Sequence, residues 1–236
     1  MVQQCTLPFS GCLMQRVDIG EHVLFLGDCL DMTFDDFEID AVVTDPPYGG
    51  GYQVNKKRSR QTGLKAIEHD HDANWPEMDD SKPFDPSPWL GFGQIVIWGA
   101  NHYASRLPDA KCWLVWDKKA GTTPDNFSDC ELAWTNLKGP VRMFTHLWRG
   151  LVRAGEENCR NGPKLHPWQK PLNLMRWCVS MTQGTVLDPY MGSGTTGVAV
   201  VEAGRRFIGV EQDPTHFETA VKRIEGAAYN RQGQLL

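Results

Sequence analysis

Short unbroken apolar runs punctuate the chain, separated by polar stretches rich in glycine and proline. The runs are Val23-Leu24-Phe25-Leu26, Ala41-Val42-Val43, Gln94-Ile95-Val96-Ile97-Trp98, Cys112-Trp113-Leu114-Val115-Trp116, Thr185-Val186-Leu187 and Phe207-Ile208-Gly209-Val210. Apolarity that continues without alternation predicts strands covered on both faces. Between some of them the period changes. Leu172, Met175 and Val179, with Leu174 and Cys178, keep a three-to-four spacing that predicts a helix before the strand at 185. Asp213-Pro214 puts a capping residue ahead of a proline at the first helical position, and Phe217, Ala220, Val221 and Ile224 then form one stripe. Strands alternating with helices predict an α/β sheet with parallel strands. Trp98, Trp113 and Trp116, set within strands, are expected in the core.

Composition narrows the class. A chain of 236 residues can bury a full core without metals or disulfides, so residues 1–236 are read as one domain. A 41% hydrophobic content against 22% charge excludes wholesale disorder. Seven scattered cysteines without a Cys-x-x-Cys pair suggest reduced thiols. No apolar run approaches a membrane span, and Met1–Cys12 lacks a basic-then-apolar leader, so no membrane partner is expected. The formal net charge of −5 argues against simple coating of nucleic acid, but charge is unevenly spread. Residues 66–90 carry Glu68, Asp70, Asp72, Glu77, Asp79, Asp80 and Asp85 against Lys82 alone. Residues 136–170 carry Lys138, Arg142, Arg149, Arg153, Arg160, Lys164 and Lys170 against Glu156 and Glu157, and Lys56-Lys57-Arg58-Ser59-Arg60 adds a second basic run. The stretches 49–90 and 136–165 read as long loops of the kind that contact a ligand. Residues 226–236 read as a flexible tail. Glu68-His69-Asp70-His71-Asp72 could ligate a metal, but an acidic loop explains it more simply, and no metal is expected.

Two segments carry chemistry. In the first, Thr185-Val-Leu-Asp188-Pro-Tyr-Met-Gly192-Ser193-Gly194-Thr195-Thr-Gly197 follows a strand and enters a helical segment. Its glycines allow a tight turn and close approach of a ligand to the free N–H groups of the helix. Glu211, at the end of the next strand, suits the hydroxyls of a ribose. Taken alone, the motif leaves a dinucleotide enzyme and a mere packing turn open; the missing Gly-Lys-Ser/Thr disfavours a nucleotide phosphate loop.

In the second, the strand through Ala41-Val42-Val43-Thr44 ends in Asp45-Pro46-Pro47-Tyr48. The prolines stop the strand and hold nearby carbonyls rigidly. A carboxylate beside a fixed carbonyl makes a pair of acceptors for the two N–H donors of an amine. The tyrosine can stack on a planar ring. Two acceptors placed for a tetrahedral nitrogen favour attack by an otherwise unreactive aromatic amine.

Together these segments resemble the amino-DNA methyltransferases. Asp45-Pro-Pro-Tyr48 is similar to their catalytic motif and Asp188-Pro-Tyr-Met-Gly-Ser-Gly194 to their S-adenosylmethionine loop. Gly27-Asp28, Val115-Trp116-Asp117-Lys118 and His166-Pro167-Trp168-Gln169-Lys170-Pro171 resemble further family elements, although Trp168 stands where the family usually has threonine. The catalytic motif precedes the cofactor loop, as in the circularly permuted β class and its phage and prophage members.

The resemblance implies a Rossmann-like, mostly parallel sheet with helices on both faces. It implies methyl transfer to the exocyclic amine of a flipped base in double-stranded DNA, with N6 of adenine favoured over N4 of cytosine. Asp45, Pro46, Pro47 and Tyr48 would be catalytic. Asp28, Asp45, His166, Lys170, Asp188, Gly192, Ser193, Gly194, Thr195 and Glu211 would hold S-adenosylmethionine. Lys56, Lys57, Arg58, Arg142, Arg149 and Arg153 are the candidate phosphate contacts. A bacterial or phage-infected cytoplasm, and a monomer or homodimer, are the expected setting. Two rival readings are a protein-glutamine methyltransferase, disfavoured by motif order, and an inactive DNA-binding module.

Overall fold

The structure, a computed structural model, describes residues 2–9, 12–49, 82–122, 128–149, 152–154 and 169–234. Its centre is a parallel sheet built from the apolar runs. Strands β3 (His22–Leu26), β4 (Ala41–Thr44) and β5 (Gln94–Trp98) come from the first half of the chain, and β11 (Val186–Asp188) and β12 (Phe207–Glu211) from the second. They lie in the order β3-β12-β11-β4-β5, each parallel to its neighbour. The order places the ends of β4 and β11 side by side, although Asp45 and Asp188 are far apart in sequence. Full burial of β4 and β11 explains why neither strand alternates.

Antiparallel elements extend both edges. An N-terminal hairpin of β1 (Val2–Phe9) and β2 (Cys12–Ile19) pairs onto β3. On the other side, β7 (Cys130–Thr135) runs antiparallel between β5 and β6 (Trp113–Asp117), and β8 (Arg142–Thr145) forms the edge. A short hairpin of β9 (Trp148–Arg149) and β10 (Val152–Arg153) stands apart. The sheet is therefore mixed at its edges and parallel at its centre, as a Rossmann-like fold requires. The segment 136–165, read as a loop, contains β8 through β10. Phe144 of β8 stacks on Trp177, giving the strand an anchor that its charged sequence hides.

Helices α1 (Leu172–Ser180), α2 (Thr195–Glu202) and α3 (Pro214–Gln234) pack side by side, α2 touching both others. All three contribute to the same core cluster as Trp98 and Trp116. Among the described residues the second face is covered not by α-helices but by 3-10 turns and loop residues, with Phe84, Trp89, Ala100 and Tyr103 buried there. Segments too short and proline-rich for an α-helix cap that face with aromatic rings instead. Residues 82–90, inside the expected 49–90 loop, belong to this cover. Trp98 and Trp116 are fully buried as expected, while Trp113 is half-buried.

Asp213 caps α3 as its sequence predicts, accepting from the His216 N–H at 2.9 Å. The helix then runs on to Gln234, so the expected tail from 226 is helical for most of its length. Ala227 and Ala228 rest against the core and explain the extension. No helix among the described residues is long and apolar enough to cross a membrane.

Candidate active site

β4 ends where the prolines begin, and this projects Asp45 and Tyr48 beyond the carboxyl edge of the sheet. Pro46 is buried and Pro47 half-buried, which fixes the turn. The Tyr48 hydroxyl donates to Asp45 Oδ1. The Tyr48 ring stacks on His102, with centroids 5.0 Å apart and planes within 13°. Gly99, at φ +75°, lies under that ring, and a Cβ there would fall inside it. Only glycine permits this approach.

Lys170, from the segment before α1, reaches the same carboxylate. Its ammonium is 2.7 Å from Asp45 Oδ2, 2.8 Å from Oδ1 and 2.9 Å from the Tyr48 hydroxyl. Its side chain is 10% exposed, and that of Asp45 20%. On its other side, Lys170 lies 3.0 Å from Glu131 of β7, whose second oxygen is 2.7 Å from Lys118. The β6–β7 register sets Glu131 opposite Trp116, two residues before Lys118. Burial opposes the Lys170 charge, but the carboxylates of Asp45 and Glu131 outweigh it and hold the ammonium well above its ordinary value. Burial likewise acts to raise Glu131, yet Lys170 and Lys118 overcome it and bring that carboxyl down to about 2. For Asp45 burial prevails over the pull of Lys170, and its carboxyl stands above the usual range.

One strand away, Asp188 closes β11, is 2% exposed, and accepts from the Thr44 hydroxyl at 2.6 Å and the Tyr190 N–H at 3.1 Å. Burial pushes its carboxyl up to about 6, against the hydrogen bonds from Thr196 and Thr44. The glycine loop turns above it. Gly194, at φ +79°, begins α2 without a side-chain cap, so the first-turn N–H groups of α2 have no side-chain partner at their own terminus. A Cβ at Gly194 would meet Ala220 of α3 at 3.0 Å. Arg223 of α3 braces the loop from behind, donating to the Ser193 carbonyl at 2.6 Å and to the Ser193 and Thr195 hydroxyls at 3.0 and 3.1 Å. Glu211, ending β12, accepts from the Gly192 N–H and the Asp213 N–H, both at 2.8 Å. Burial raises it to about 7.

A small cleft joins the two halves. Asp45, Gln169, Lys170, Met175, Asp188, Tyr190, Met191, Gly192, Ser193, Thr195 and Thr196 line it. Asp45 and the expected glycine loop therefore face one space. Residues 109–222 match the family N6_N4_Mtase, described as DNA methylase. Over that segment the chain is similar to the N6/N4 DNA methylases. It is 36% identical over 114 residues to the Type II methyltransferase M2.MboI of Moraxella bovis, a match over 47% of this chain and 40% of that protein. It is 24% identical over 258 residues to the Type II methyltransferase M.HinfI of Haemophilus influenzae, covering 89% of this chain and 71% of that one. The chain thus spans well under half of the first relative. In fold it is similar to a Thermus thermophilus protein described as "Putative DNA Modification Methylase". That TM-score is 0.50 at 23% identity, over 87% of this chain and 95% of that one.

The residues expected from the sequence divide in their placement. Asp45, Tyr48, Lys170, Asp188, Gly192, Ser193, Gly194, Thr195 and Glu211 gather at the cleft and its loop. Lys170 bonds to the Asp45 carboxylate as well as lining the cleft. Asp28 caps the turn after β3, accepting from the Leu30 N–H at 2.9 Å, and does not line the cleft. Its neighbour Gly27 donates to the Glu211 carbonyl at 2.9 Å. Arg142 is exposed on the edge strand β8. Arg149 and Arg153 fall on the β9–β10 hairpin. His166, Lys56, Lys57, Arg58 and the 68–72 acidic run lie outside the described residues. Among the described residues there is no group of side chains that could hold a metal, and Cys29, Cys112, Cys130 and Cys178 are free thiols.

Sequence reasoning missed Glu131, Thr44, His102 and Arg223. A signal existed for Thr44, a hydroxyl just before Asp45-Pro46-Pro47-Tyr48. None marked Glu131 or Arg223, which reach the site by tertiary packing alone.

Proposed function

We propose that the chain transfers a methyl group from S-adenosylmethionine to the exocyclic amine of a base extruded from duplex DNA, N6 of adenine being the target. The observation that carries this reading is the meeting of Asp45 and Asp188 at the ends of adjacent parallel strands, lining one cleft with the glycine loop. Strand carboxyl ends are where open α/β sheets bind ligands.

The residues present suit the cofactor. Asp188 is buried and Glu211 half-buried, and a ligand bearing an ammonium and ribose hydroxyls supplies donors for both. Ser193, Thr195 and the first turn of α2 complete a polar cradle. When bound, S-adenosylmethionine supplies an electrophilic methyl on a sulfonium.

The rest is done by the chain. Asp45 and the Pro46 carbonyl accept the two amine hydrogens and draw the nitrogen lone pair out of the ring. The negative charge of Asp45 then stabilises the positive charge that develops on nitrogen. After transfer the nitrogen sheds one proton, for which Asp45 is the nearest acceptor. Tyr48, fixed by Gly99 and His102, offers its ring to the flipped base. Asp at the head of the motif, with the motif ahead of the glycine loop, supports the permuted adenine class.

The test is methyl transfer from labelled S-adenosylmethionine to unmethylated duplex DNA, with nucleoside mass spectrometry of the digest. N6-methyladenine is expected from the native chain and none from a folded Asp45→Ala variant. N4-methylcytosine would replace the target base; no methylated nucleoside, with cofactor bound, would overturn the reading.

A further inference from the structure

Both oxygens that Asp45 would offer an incoming amine already carry a partner. Lys170 engages both of them, at 2.7 and 2.8 Å, and Tyr48 donates to Oδ1. For Asp45 to meet the amine as a free anion, the ammonium has to give way. Expelled with no partner, it would be a buried, unpaired charge. A partner is within reach: Glu131 Oε2 lies 3.0 Å from the same nitrogen. Lys118, bonded to the other oxygen at 2.7 Å, holds Glu131 in place. The exchange needs Lys170 to drop one contact and keep the other.

We infer that Glu131 is a positioning residue that takes Lys170 over from Asp45 when the target amine binds. The inference rests on the methyl-transfer reading above. Its physical content is charge placement. With Lys170 on Asp45, that carboxylate is neutralised just where positive charge must develop. With Lys170 on Glu131, Asp45 faces the reacting nitrogen as a free anion, and its field acts on the transition state rather than on a lysine. Two carboxylates and two lysines keep the cluster neutral in either arrangement, so the switch buries no net charge. Glu131 does not itself line the cleft and meets it through Lys170.

The test is a double-mutant cycle on methyl transfer to unmethylated plasmid DNA, using the full chain, E131Q, K170Q and the double variant, each checked for folding by circular dichroism. Glu131→Gln keeps the shape and removes the charge. It is expected to lower kcat about tenfold while KM for S-adenosylmethionine stays within about twofold, with Glu131→Asp recovering most of the loss. In the K170Q background the same change is expected to have no further effect, because there is no ammonium left to move. If E131Q matches the native kcat, or its loss persists undiminished without Lys170, the handover is refuted. Should E131Q fail to fold, Glu131→Ala, which also removes the carboxylate, carries the same comparison, and a native kcat there would also refute it. A native chain without any methyl transfer overturns the reading of the site itself, and this inference with it.

Discussion

Asp188→Asn removes one negative charge from the cleft and leaves its hydrogen bonds in place. Asp188 Oδ1 accepts from Thr44 and from the Tyr190 N–H, and an asparagine oxygen can accept both. The new amide group would face Thr196, whose hydroxyl can accept from it. What changes is the charge. Burial moves this carboxyl from an ordinary value of 3.8 to about 6. At ~1.4 kcal/mol for each pH unit, ionised Asp188 costs the folded chain about 3 kcal/mol. The folded chain holds a proton that the unfolded chain releases between those two values. Stability from this group is therefore complete below pH 3.8 and lost as pH rises through about 6. The asparagine variant loses nothing over that range. It is expected to be about 3 kcal/mol more stable than the native chain at pH 8, with about half of that difference present at pH 5. Urea unfolding without cofactor, followed by circular dichroism across the pH range, measures it. The variant should also bind S-adenosylmethionine poorly, a stabilising change made at the expense of function. A stability difference that does not vary with pH, or a less stable variant at pH 8, would refute the argument that Asp188 is held in a desolvated, ligand-seeking state.

Three further outcomes follow from the same geometry. Gly99→Ala drives a Cβ into the Tyr48 ring at a positive φ, so methyl transfer should fall at least about a hundredfold while cofactor affinity, measured by calorimetry, stays within about twofold. Arg223→Met releases the Ser193 carbonyl and two hydroxyls of the glycine loop; cofactor affinity should weaken about tenfold with little change in kcat at saturating cofactor. Glu211, raised to about 7 by burial, accepts from cofactor hydroxyls better as an anion, so affinity should climb as pH rises through about 7 and lose that dependence in Glu211→Gln, as titration calorimetry from pH 6 to 8 would show.

How much of this was legible before the structure depends on what kind of information each residue carries. The central strands were legible because burial on both faces imposes unbroken apolarity, and β4, β5 and β12 match the runs closely. The α-helices were legible from period and caps, Asp213 most plainly. Strands β7 and β8, beyond β5, were not. Cys130-Glu-Leu-Ala-Trp-Thr135 alternates weakly and carries a charge, and β8 reads as polar loop until Phe144 is seen resting on Trp177. The same limit governs the site. Asp45 and Asp188 announce themselves through local constraints, prolines after one and glycines after the other, because the chain itself must turn there. Glu131 has no such constraint. It matters only because β7 inserts antiparallel between β5 and β6, which aims one carboxylate at a lysine that arrives from the far end of the chain. Local motifs therefore reveal groups that touch a ligand, because backbone shape must serve the ligand. Groups that act through another side chain leave no local trace, and only the sheet register exposes them.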